Sequence, residues 1–417
     1  MRSFFSSSEG MGKVSANTIP QCGACGLHKK CRSPKMETGG KGTVPLLIVG
    51  DRPNDNEDKE GTHFIDSSSD QANRSLSVKP YRMLSGELLD NGVRLSDCHH
   101  THSIICRPTQ KPYPDATFKQ NVVHCRPNIV KTIETLEPKV ILLLGTEAVR
   151  SVLGHLFTED PGNVYRWLGY SIPVKAWNCY VVPAMSVKYL ASRASDRNPV
   201  PSRMFKENVK QACSLLNQPR PGDSIPDYKS QVECVYDPKV AAKLIDKFSK
   251  GARPVAFDYE TNMLKPEGVD ASIYSCSLSD GKRTIAYPWN ETVAQATSEF
   301  LKSRVPKLAS NMKFEERWTR RILGHPVRNW AWDTMVAAHW INNAQATKSI
   351  KFQAFVELGV PIYNQHIEPF LKSKGTMVKN RIQDIKLEDL LIYNGLDSLL
   401  EYHVAMRQKE VRDRHVH

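Results

Sequence analysis

The sequence predicts an α/β protein with two domains, and three observations support that fold class. Segments with strand and helix character alternate along the chain, which favours sheets covered by helices. The chain has 417 residues, more than one core normally accommodates. A stretch rich in proline and polar residues separates two halves. The predicted organisation is a flexible N-terminus (1–18), a first domain (19–215), a linker (216–237) and a second domain (238–417).

The first domain is predicted to contain a parallel sheet with helices on both faces. Its predicted strands are 45–50, 103–105, 139–144 and 180–182, and its predicted helices are 81–91, 120–136 and 146–153. Ligands of such sheets bind at the carboxyl ends of the strands. We therefore expect the functional residues of this domain in the loops that follow its strands.

Charge and composition narrow the classes of partner. The net charge of +13 favours a polyanion such as nucleic acid, although a generally basic surface would give the same value. No apolar run reaches the roughly 18 residues of a membrane span, and the N-terminus lacks a signal-peptide core. We expect a cytoplasmic protein whose ten cysteines are reduced unless they bind metal.

Acidic residues in the second domain are spaced as a metal site requires. Asp258 and Glu260 end an apolar strand, where residues two apart point to the same face. Glu315 lies near the start of a predicted helix, and Tyr393 and Asp397 are neighbours on the face of another. Carboxylates are the ligands that hard divalent cations prefer.

The elements of the second domain follow the same periodicities. The predicted strands are 254–260, 272–278 and 284–287, with strand character again at 305–308, and the predicted helices are 238–250, 291–302, 314–323, 333–342, 349–358 and 387–408. Asp333 precedes a helical segment and is predicted to be its N-cap rather than a catalytic residue.

Residues 235–410 resemble the proofreading exonuclease domain of family A DNA polymerases, within the DnaQ-like superfamily. The resemblance rests on the order and spacing of the acidic motifs and on the segments WDTM at 332–335 and KFQA at 351–354. It implies a ribonuclease H-like fold and metal-dependent 3′–5′ exonuclease activity. Such hydrolysis uses two Mg²⁺ or Mn²⁺ ions about 3.5 to 4 Å apart.

The same resemblance implies a role for each acidic residue. Asp258 would bridge the two ions, Glu260 and Asp397 would complete their shells, and Tyr393 would hold the attacking water. Glu315 stands where the family usually has Asp, which implies retained but altered activity.

Four cysteines in the first domain form a candidate metal site. Cys22 and Cys25 form a CxxC pair, and Cys106 and Cys125 follow about eighty residues later. A redox pair is the alternative for the CxxC. The segments CGACGL, IVGDRPNDNEDKEGTHF, ICRP, HCRP and PKVILLLGTEAV, between residues 22 and 190, resemble the iron-sulfur uracil-DNA glycosylases of families 4 and 5.

That resemblance implies that these four cysteines hold one [4Fe-4S] cluster, with structural zinc as the alternative. The remaining cysteines have no partner by spacing and are interpreted as packed thiols: Cys31, Cys98, Cys179, Cys213, Cys234 and Cys276.

The glycosylase-like pocket departs from the family pattern at three positions. Asp51 replaces the catalytic Glu, His102 replaces the Asn that reads the uracil edge, and Ser186 begins Ser-Val-Lys in place of His-Pro-Ser. Phe64, the expected base-stacking aromatic residue, is retained. Losing one preorganised donor costs about 10² to 10³ in rate, so we expect weak or lost glycosylase activity. An active enzyme of shifted specificity is the alternative.

Together the halves predict a DNA-processing exonuclease fused to a glycosylase-like, DNA-binding domain. The expected substrate is DNA, with single-stranded 3′ ends. The combination resembles proteins of bacteriophage replication systems, which implies a separate DNA polymerase as partner and a bacterial host cell as the location. The competing hypothesis is a non-catalytic DNA-binding accessory subunit.

Overall fold

The computed structural model describes residues 19–66, 79–109, 115–157, 159–194 and 198–416. The chain divides into two compact units, Met1–Ile225 and Pro226–His417. Each unit contains one sheet. Among the described helices, none combines the length and apolar character needed to cross a bilayer.

The first unit contains a five-stranded sheet in the order β2-β1-β3-β5-β4, in which only β4 runs antiparallel to its neighbour. Its strands are β1 (Val44–Gly50), β2 (Cys98–His102), β3 (Val140–Leu144), β4 (Ile172–Val174) and β5 (Cys179–Ala184). Its helices are α1 (Cys22–Cys25), α2 (Asp55–Glu60), α3 (Pro80–Asp90), α4 (Asp115–Leu136), α5 (Thr146–Leu156), α6 (Val187–Ser192) and α7 (Val200–Leu215).

Strand β3 is the centre of this sheet. All five of its residues are buried, as expected for a parallel strand between helices, and α5 and α7 pack against it. The chain leaves β3 through Gly145, which has a φ of 104°. A Cβ at Gly145 would lie 2.3 Å from the Asp51 carboxylate, so this position excludes larger side chains.

The predicted strand at 103–105 is wrong. The strand lies earlier, at β2, and residues 103–105 form the bend that leads to Cys106. The sequence of β2, Cys-His-His-Thr-His, carries three histidines, and His100 and His102 are nevertheless buried. Strand β2 could therefore not be predicted from alternating apolar residues. Strand β4 and helices α2, α6 and α7 were also not predicted.

The second unit contains a six-stranded mixed sheet in the order β11-β10-β7-β8-β9-β6. Its strands are β6 (Val232–Cys234), β7 (Val255–Thr261), β8 (Ile273–Ser279), β9 (Thr284–Pro288), β10 (Lys307–Ala309) and β11 (Trp330–Asp333). Its helices are α8 (Pro238–Ser249), α9 (Glu291–Lys302), α10 (Met312–Leu323), α11 (Thr334–Ile341), α12 (Ile350–Leu358), α13 (Glu368–Leu371) and α14 (Leu387–Val416).

Helix α14 packs across β7, β8 and β9 and brings its acidic face to the strand that carries Asp258. Helix α14 comes closest to strand β6 at Gly395, where an added Cβ would lie 2.3 Å from Val232 Cγ1. Val232 belongs to β6, which pairs in parallel with β9. Residues 232–234, predicted as part of the linker, are therefore a sheet strand of the second unit.

The predicted N-cap at Asp333 is confirmed. Its carboxylate accepts hydrogen bonds from the Met335 and Val336 amides at 2.9 and 3.1 Å, at the start of α11. It also accepts from the Asn311 and Met312 amides at 3.1 and 3.0 Å. One carboxylate thus joins the N-termini of α10 and α11.

Candidate functional site

Three of the predicted acidic residues meet at the end of β7. Ligand oxygens of Asp258, Glu260 and Asp397 all lie within 4.8 Å of one another. Burial and the neighbouring Asp397 raise the pKa of Asp258 to about 8, and burial and Asp258 raise the pKa of Glu260 well above its usual range. Carboxylates held this close repel one another, so the group fits divalent cations.

Asn394 fixes the position of Asp258. Its side-chain amide donates to Asp258 Oδ2 at 2.6 Å, and its own Oδ1 accepts from the Ser275 hydroxyl at 2.9 Å. The Ser277 hydroxyl donates to the Asn394 carbonyl at 2.7 Å. Helix α14 and strands β7 and β8 are therefore joined by hydrogen bonds beside the carboxylates. This positioning role was not predicted from the sequence.

Both carboxylate oxygens of Asp397 have protein partners. The Lys351 ammonium lies 2.7 Å from Oδ2, and the Tyr363 hydroxyl donates to Oδ1. The same ammonium stands 4.9 Å from the centre of the Tyr393 ring. Burial alone would lower the pKa of Lys351, but the Asp397 carboxylate outweighs burial and raises the Lys351 pKa above its usual value.

Glu315 lies apart from the compact group of three, because its oxygens are outside the 4.8 Å cluster. Its side chain is 2% exposed, and its Oε2 has no hydrogen-bond partner among the described residues. Tyr393 is also buried, with its ring 6.0 Å from that of Tyr363. Burial and then Asp258 raise the pKa of Glu315 well above its usual range.

A further carboxylate, Glu401, was not predicted. It follows Asp397 by one helical turn on α14, is 2% exposed, and has an Oε2 without a partner in the described part of the chain. Burial, followed by the charges of Asp258 and Glu315, raises the pKa of Glu401 well above normal. Its four-residue spacing from Asp397 was the available sequence signal.

In the first unit, the predicted glycosylase-like residues fall into two groups. Asp51 and Ser186 line a cavity of about 630 Å³ at the carboxyl ends of β1, β3 and β5, together with Glu147 and Arg107. The Glu147 amide donates to Asp51 Oδ1 at 3.0 Å, and the Arg52 guanidinium lies 2.6 Å from Glu147 Oε1. Burial and the Asp51 charge raise the pKa of Glu147 to about 8.

Phe64 and His102 form the second group, around the buried carboxylate of Glu57. His102 Nε2 lies 2.7 Å from Glu57 Oε1, which also accepts from the Phe64 amide at 2.7 Å. The Lys188 ammonium lies 3.3 Å from Glu57 Oε2. Burial alone would raise the pKa of Glu57, but His102 and Lys188 lower it below its usual value. An ionised carboxylate only accepts, so His102 Nε2 carries the proton in this contact.

The Phe64 ring is already stacked. It lies 4.8 Å from the ring of Tyr81 with an angle of 10° between their planes, and 5.1 Å from the ring of His100. Phe64 is 7% exposed and has a φ of 62°, a backbone conformation that bulky residues rarely adopt. The ring expected to stack on a flipped base therefore packs on protein side chains.

The four predicted ligand cysteines lie together. Cys22 and Cys25 on α1, Cys106 after β2 and Cys125 on α4 line one small cavity. The Lys35 amide donates to Cys106 Sγ at 3.2 Å, and the Asn128 side-chain amide donates to Cys125 Sγ at 3.5 Å. Such donors stabilise thiolates bound to iron.

Four thiolates suit either structural zinc or an iron-sulfur cluster. Tetrahedral zinc with Zn–S bonds near 2.3 Å places sulfurs about 3.8 Å apart. Among the described residues, no three of these sulfurs lie within 4.8 Å of one another. All ten cysteines are free thiols, and Cys31 packs beside Cys25 and Cys106. Burial raises the pKa of Cys106 to about 12 and that of Cys125 to about 11.

In comparisons with known proteins, the two halves of the chain match two different families. Residues 37–210 match the family model described as "Uracil DNA glycosylase superfamily", and residues 232–408 match the model described as "3'-5' exonuclease". The first half is 24% identical over 214 residues to the type-4 uracil-DNA glycosylase of Thermotoga maritima, covering 50% of this chain and 97% of that protein. It is 26% identical over 204 residues to the type-4 uracil-DNA glycosylase of Saccharolobus solfataricus, covering 48% and 85%.

Among solved structures, the chain is similar to Escherichia coli RNase D, described as an exoribonuclease involved in structured RNA processing. That likeness has a TM-score of 0.34 and 10% identity, and it covers 44% of this chain and 45% of that chain. The predicted fold class and the predicted family resemblances are confirmed. The chain joins a uracil-DNA glycosylase superfamily domain in its N-terminal half to a 3′–5′ exonuclease domain in its C-terminal half.

Proposed function

We propose that this protein is a metal-dependent 3′–5′ exonuclease that acts on single-stranded 3′ ends of DNA. The observation that carries the proposal is the convergence of Asp258, Glu260 and Asp397, whose ligand oxygens lie within 4.8 Å of one another. The exonuclease family match and the net charge of +13 support a nucleic-acid substrate.

In this function Asp258, Glu260 and Asp397 would hold two Mg²⁺ or Mn²⁺ ions, and Asp258 would contribute to both. When bound, such ions neutralise charge on the attacking and leaving oxygens of the phosphodiester. Asn394 keeps Asp258 oriented through its 2.6 Å hydrogen bond, and the Tyr393 hydroxyl orients the attacking water. Glu315 would bind an ion directly or through water, because its side chain is longer than the Asp usual at this position. We therefore expect the exonuclease activity to be altered by Glu315 rather than lost.

Shortening of a 5′-labelled oligonucleotide in Mg²⁺ or Mn²⁺ tests the proposal. The wild type should release nucleotides from the 3′ end, and Asp258→Asn should lower the rate by at least about 10³, equivalent to about 4 kcal/mol of transition-state stabilisation. Asp246→Asn is the matched control, because Asp246 is an exposed residue of α8 in the same unit. A wild type that leaves the strand intact would favour the non-catalytic, DNA-binding accessory subunit.

The N-terminal domain is proposed to hold one [4Fe-4S] cluster through Cys22, Cys25, Cys106 and Cys125. The support is their shared cavity, the amide donors at Cys106 and Cys125, and the similarity to type-4 uracil-DNA glycosylases. Anaerobically purified protein should be brown and contain about four iron atoms per chain. Cys125→Ser should lose the colour, while Cys213→Ser should keep it. A colourless protein that contains zinc would refute the cluster.

The glycosylase-like domain is proposed to bind DNA with weak or lost base excision. Its uracil-reading position, His102, is engaged with Glu57, and Phe64 is stacked on Tyr81. Uracil-containing single and double strands, followed by alkaline cleavage of abasic sites, measure excision. Efficient strand cleavage would instead establish an active enzyme of shifted specificity. The Asp51–Glu147 carboxyl pair in the 630 Å³ cavity would then be the first residues to substitute.

A separate DNA polymerase is the proposed partner, because a 3′–5′ exonuclease supplies proofreading when a polymerase presents the mismatched end. Removal of a 3′-terminal mismatch during primer extension by the cognate polymerase tests this role. The wild type should restore extension and Asp258→Asn should not. Equal extension with both proteins, and no association in sedimentation, would contradict the partnership.

A further inference from the structure

The large cavity of the first unit contains a lysine that neither proposed activity uses. Lys188 lies in the first turn of α6, shortly after β5, and lines the cavity of about 630 Å³ together with Asp51. Its Nζ donates to the main-chain carbonyl of Arg52 and lies 3.3 Å from Glu57 Oε2. Because its side chain is 31% exposed, Lys188 can be reached from the cavity.

The surroundings of Lys188 favour a reactive amine. Burial lowers the pKa of Lys188 below its usual value, although the carboxylates of Glu57 and Asp51 act in the opposite direction. The ring centre of Tyr81 lies 5.7 Å from Nζ and contributes to its desolvation. A lower pKa increases the share of neutral amine, which is the form that attacks a carbonyl carbon.

The residues expected to hold a flipped base are not available to this cavity. His102 is bound to Glu57, Phe64 is stacked on Tyr81, and neither His102 nor Phe64 is among the described residues that line the cavity. A nucleotide that has lost its base needs no such contacts, and a cavity of this size accommodates a sugar. An abasic deoxyribose therefore fits better than a uracil nucleotide, and its ring-opened form presents an aldehyde to the amine.

A carboxylate that can accept a proton lies in the same cavity. Asp51 follows β1, and its Oδ1 accepts from the Glu147 amide at 3.0 Å. The Glu147 carboxylate is held in turn by the Arg52 guanidinium at 2.6 Å. These contacts fix Asp51 at the wall that also carries Lys188. An amine and a general base are the two groups that elimination of a phosphate through an imine requires.

We propose that the first domain cleaves DNA at abasic sites, with Lys188 as the nucleophile and Asp51 as the general base. Lys188 Nζ attacks C1′ of the ring-opened sugar, and the adduct loses water to leave a protonated imine. Asp51 removes a proton from C2′, the C3′–O bond breaks, and the 3′ phosphate leaves with the bonding electrons. Water then hydrolyses the imine, which releases the unsaturated aldehyde and restores the amine.

Trapping with sodium borohydride tests the inference on the full chain. The probe is a 5′-labelled strand with one abasic site, prepared by removing a uracil with a separate uracil-DNA glycosylase. EDTA keeps the metal-dependent exonuclease inactive. Borohydride reduces the imine to a stable secondary amine, so the wild type should form a labelled adduct that survives denaturing electrophoresis. Without borohydride, the wild type should cleave the strand on the 3′ side of the abasic site.

Two substitutions separate the amine of Lys188 from its charge. Lys188→Met removes both, whereas Lys188→Arg keeps the charge but has no amine that forms an imine. Both variants should lose the adduct and the cleavage. Lys210→Met is the matched control, because Lys210 is exposed on α7 of the same unit, and it should behave as the wild type. No adduct in the wild type, or an adduct or cleavage retained by either Lys188 variant, would overturn the inference.

The proposed base is tested by Asp51→Asn. This variant keeps the amine, so it should still form the borohydride adduct, but it should cleave the strand more slowly than the wild type. Cleavage at the wild-type rate would overturn the role of Asp51.

Mapping the wild-type adduct tests the inference even if the Lys188 variants do not fold, since Glu57 loses a cationic partner in Lys188→Met. Trypsin does not cleave after a modified lysine, so the adduct should lie on the peptide 176–193 rather than on one that ends at Lys188. An adduct on any other amine would overturn the inference. Because the abasic site is supplied and EDTA is present, these results do not depend on uracil excision or on the exonuclease.

Discussion

Replacing Asp258 with asparagine should change how the stability of the metal-free protein depends on pH. Burial and Asp397 raise the pKa of Asp258 to about 8, whereas an unfolded aspartate titrates near 3.9. The folded chain therefore retains a proton that the unfolded chain has released. The stability linked to this proton is complete below about pH 4 and is lost as the pH rises toward 8.

The size of this change in unfolding free energy follows from one proton that is bound by the folded chain and not by the unfolded chain. Each pH unit between these pKa values costs about 1.4 kcal/mol, so the metal-free wild type should lose about 4 kcal/mol between about pH 5 and pH 8 through this residue. In Asp258→Asn the new side chain does not titrate, and its amide oxygen can still accept the hydrogen bond from Asn394. The variant should match the wild type below about pH 4 and exceed its melting temperature by at least roughly 10 °C near pH 8.

Thermal melts of both proteins across this pH range, followed by circular dichroism, provide the measurement. Mg²⁺ at a hundred times its dissociation constant should narrow this difference near pH 8 by about 2.7 kcal/mol, because it stabilises the wild type and has no complete site in the variant. Asp246→Asn should follow the wild type throughout. Parallel pH profiles for wild type and Asp258→Asn would refute the reasoning, since they would mean that Asp258 titrates normally in the folded state.

Three further outcomes are expected from the same region. Glu401→Gln should leave metal-free stability near neutral pH within about 1 kcal/mol but weaken Mn²⁺ binding 10- to 100-fold, measured by electron paramagnetic resonance of free Mn²⁺ during titration of the metal-free protein. Asp333→Ala removes the acceptor shared by the N-termini of α10 and α11 and should cost about 2 to 3 kcal/mol in denaturant unfolding. Asp333→Asn keeps an acceptor oxygen for the α11 cap but loses the one that accepts from the Met312 amide, and it should cost about 1 kcal/mol less than Asp333→Ala. Mn²⁺ binding should release protons, because Asp258 and Glu260 have raised pKa values without metal. Titration calorimetry in buffers of different ionisation enthalpy counts the released protons. A binding heat that does not depend on the buffer would contradict this prediction.

The exonuclease triad was accessible to sequence reasoning because local periodicity determines most of it. The alternation of a strand puts Asp258 and Glu260 on one face, and a helical turn relates Tyr393 to Asp397. The contacts that tune the triad are not local. Lys351 and Tyr363 reach Asp397 from 46 and 34 residues away, and their identity as its partners depends on how α12 packs against α14.

In the first unit, the candidate ligand cysteines could be predicted from the sequence, whereas the residues inside the glycosylase-like pocket could not. The cysteines could be grouped from their spacing and family resemblance, and they line one cavity. The interior of the pocket could not be predicted, because Glu57 lies on the short helix α2 and His102 on a histidine-rich strand with no apolar pattern. Their 2.7 Å contact depends on the parallel pairing of β1 with β2.

The charges of the exonuclease centre explain why a lysine and an additional glutamate occur together. The centre contains one ammonium, from Lys351, and five carboxylates: Asp258, Glu260, Glu315, Asp397 and Glu401. When fully ionised, these groups carry four net negative charges, which two divalent cations neutralise. Glu401 without Lys351 would leave an uncompensated buried charge even with both ions bound, at a cost of several kcal/mol. Lys351 without Glu401 would leave the loaded centre positive and weaken the second ion further. With the two proposed ions bound, these residues would maintain neutrality as a pair. Substituting Lys351 alone should therefore strengthen metal binding, and substituting Glu401 alone should weaken it.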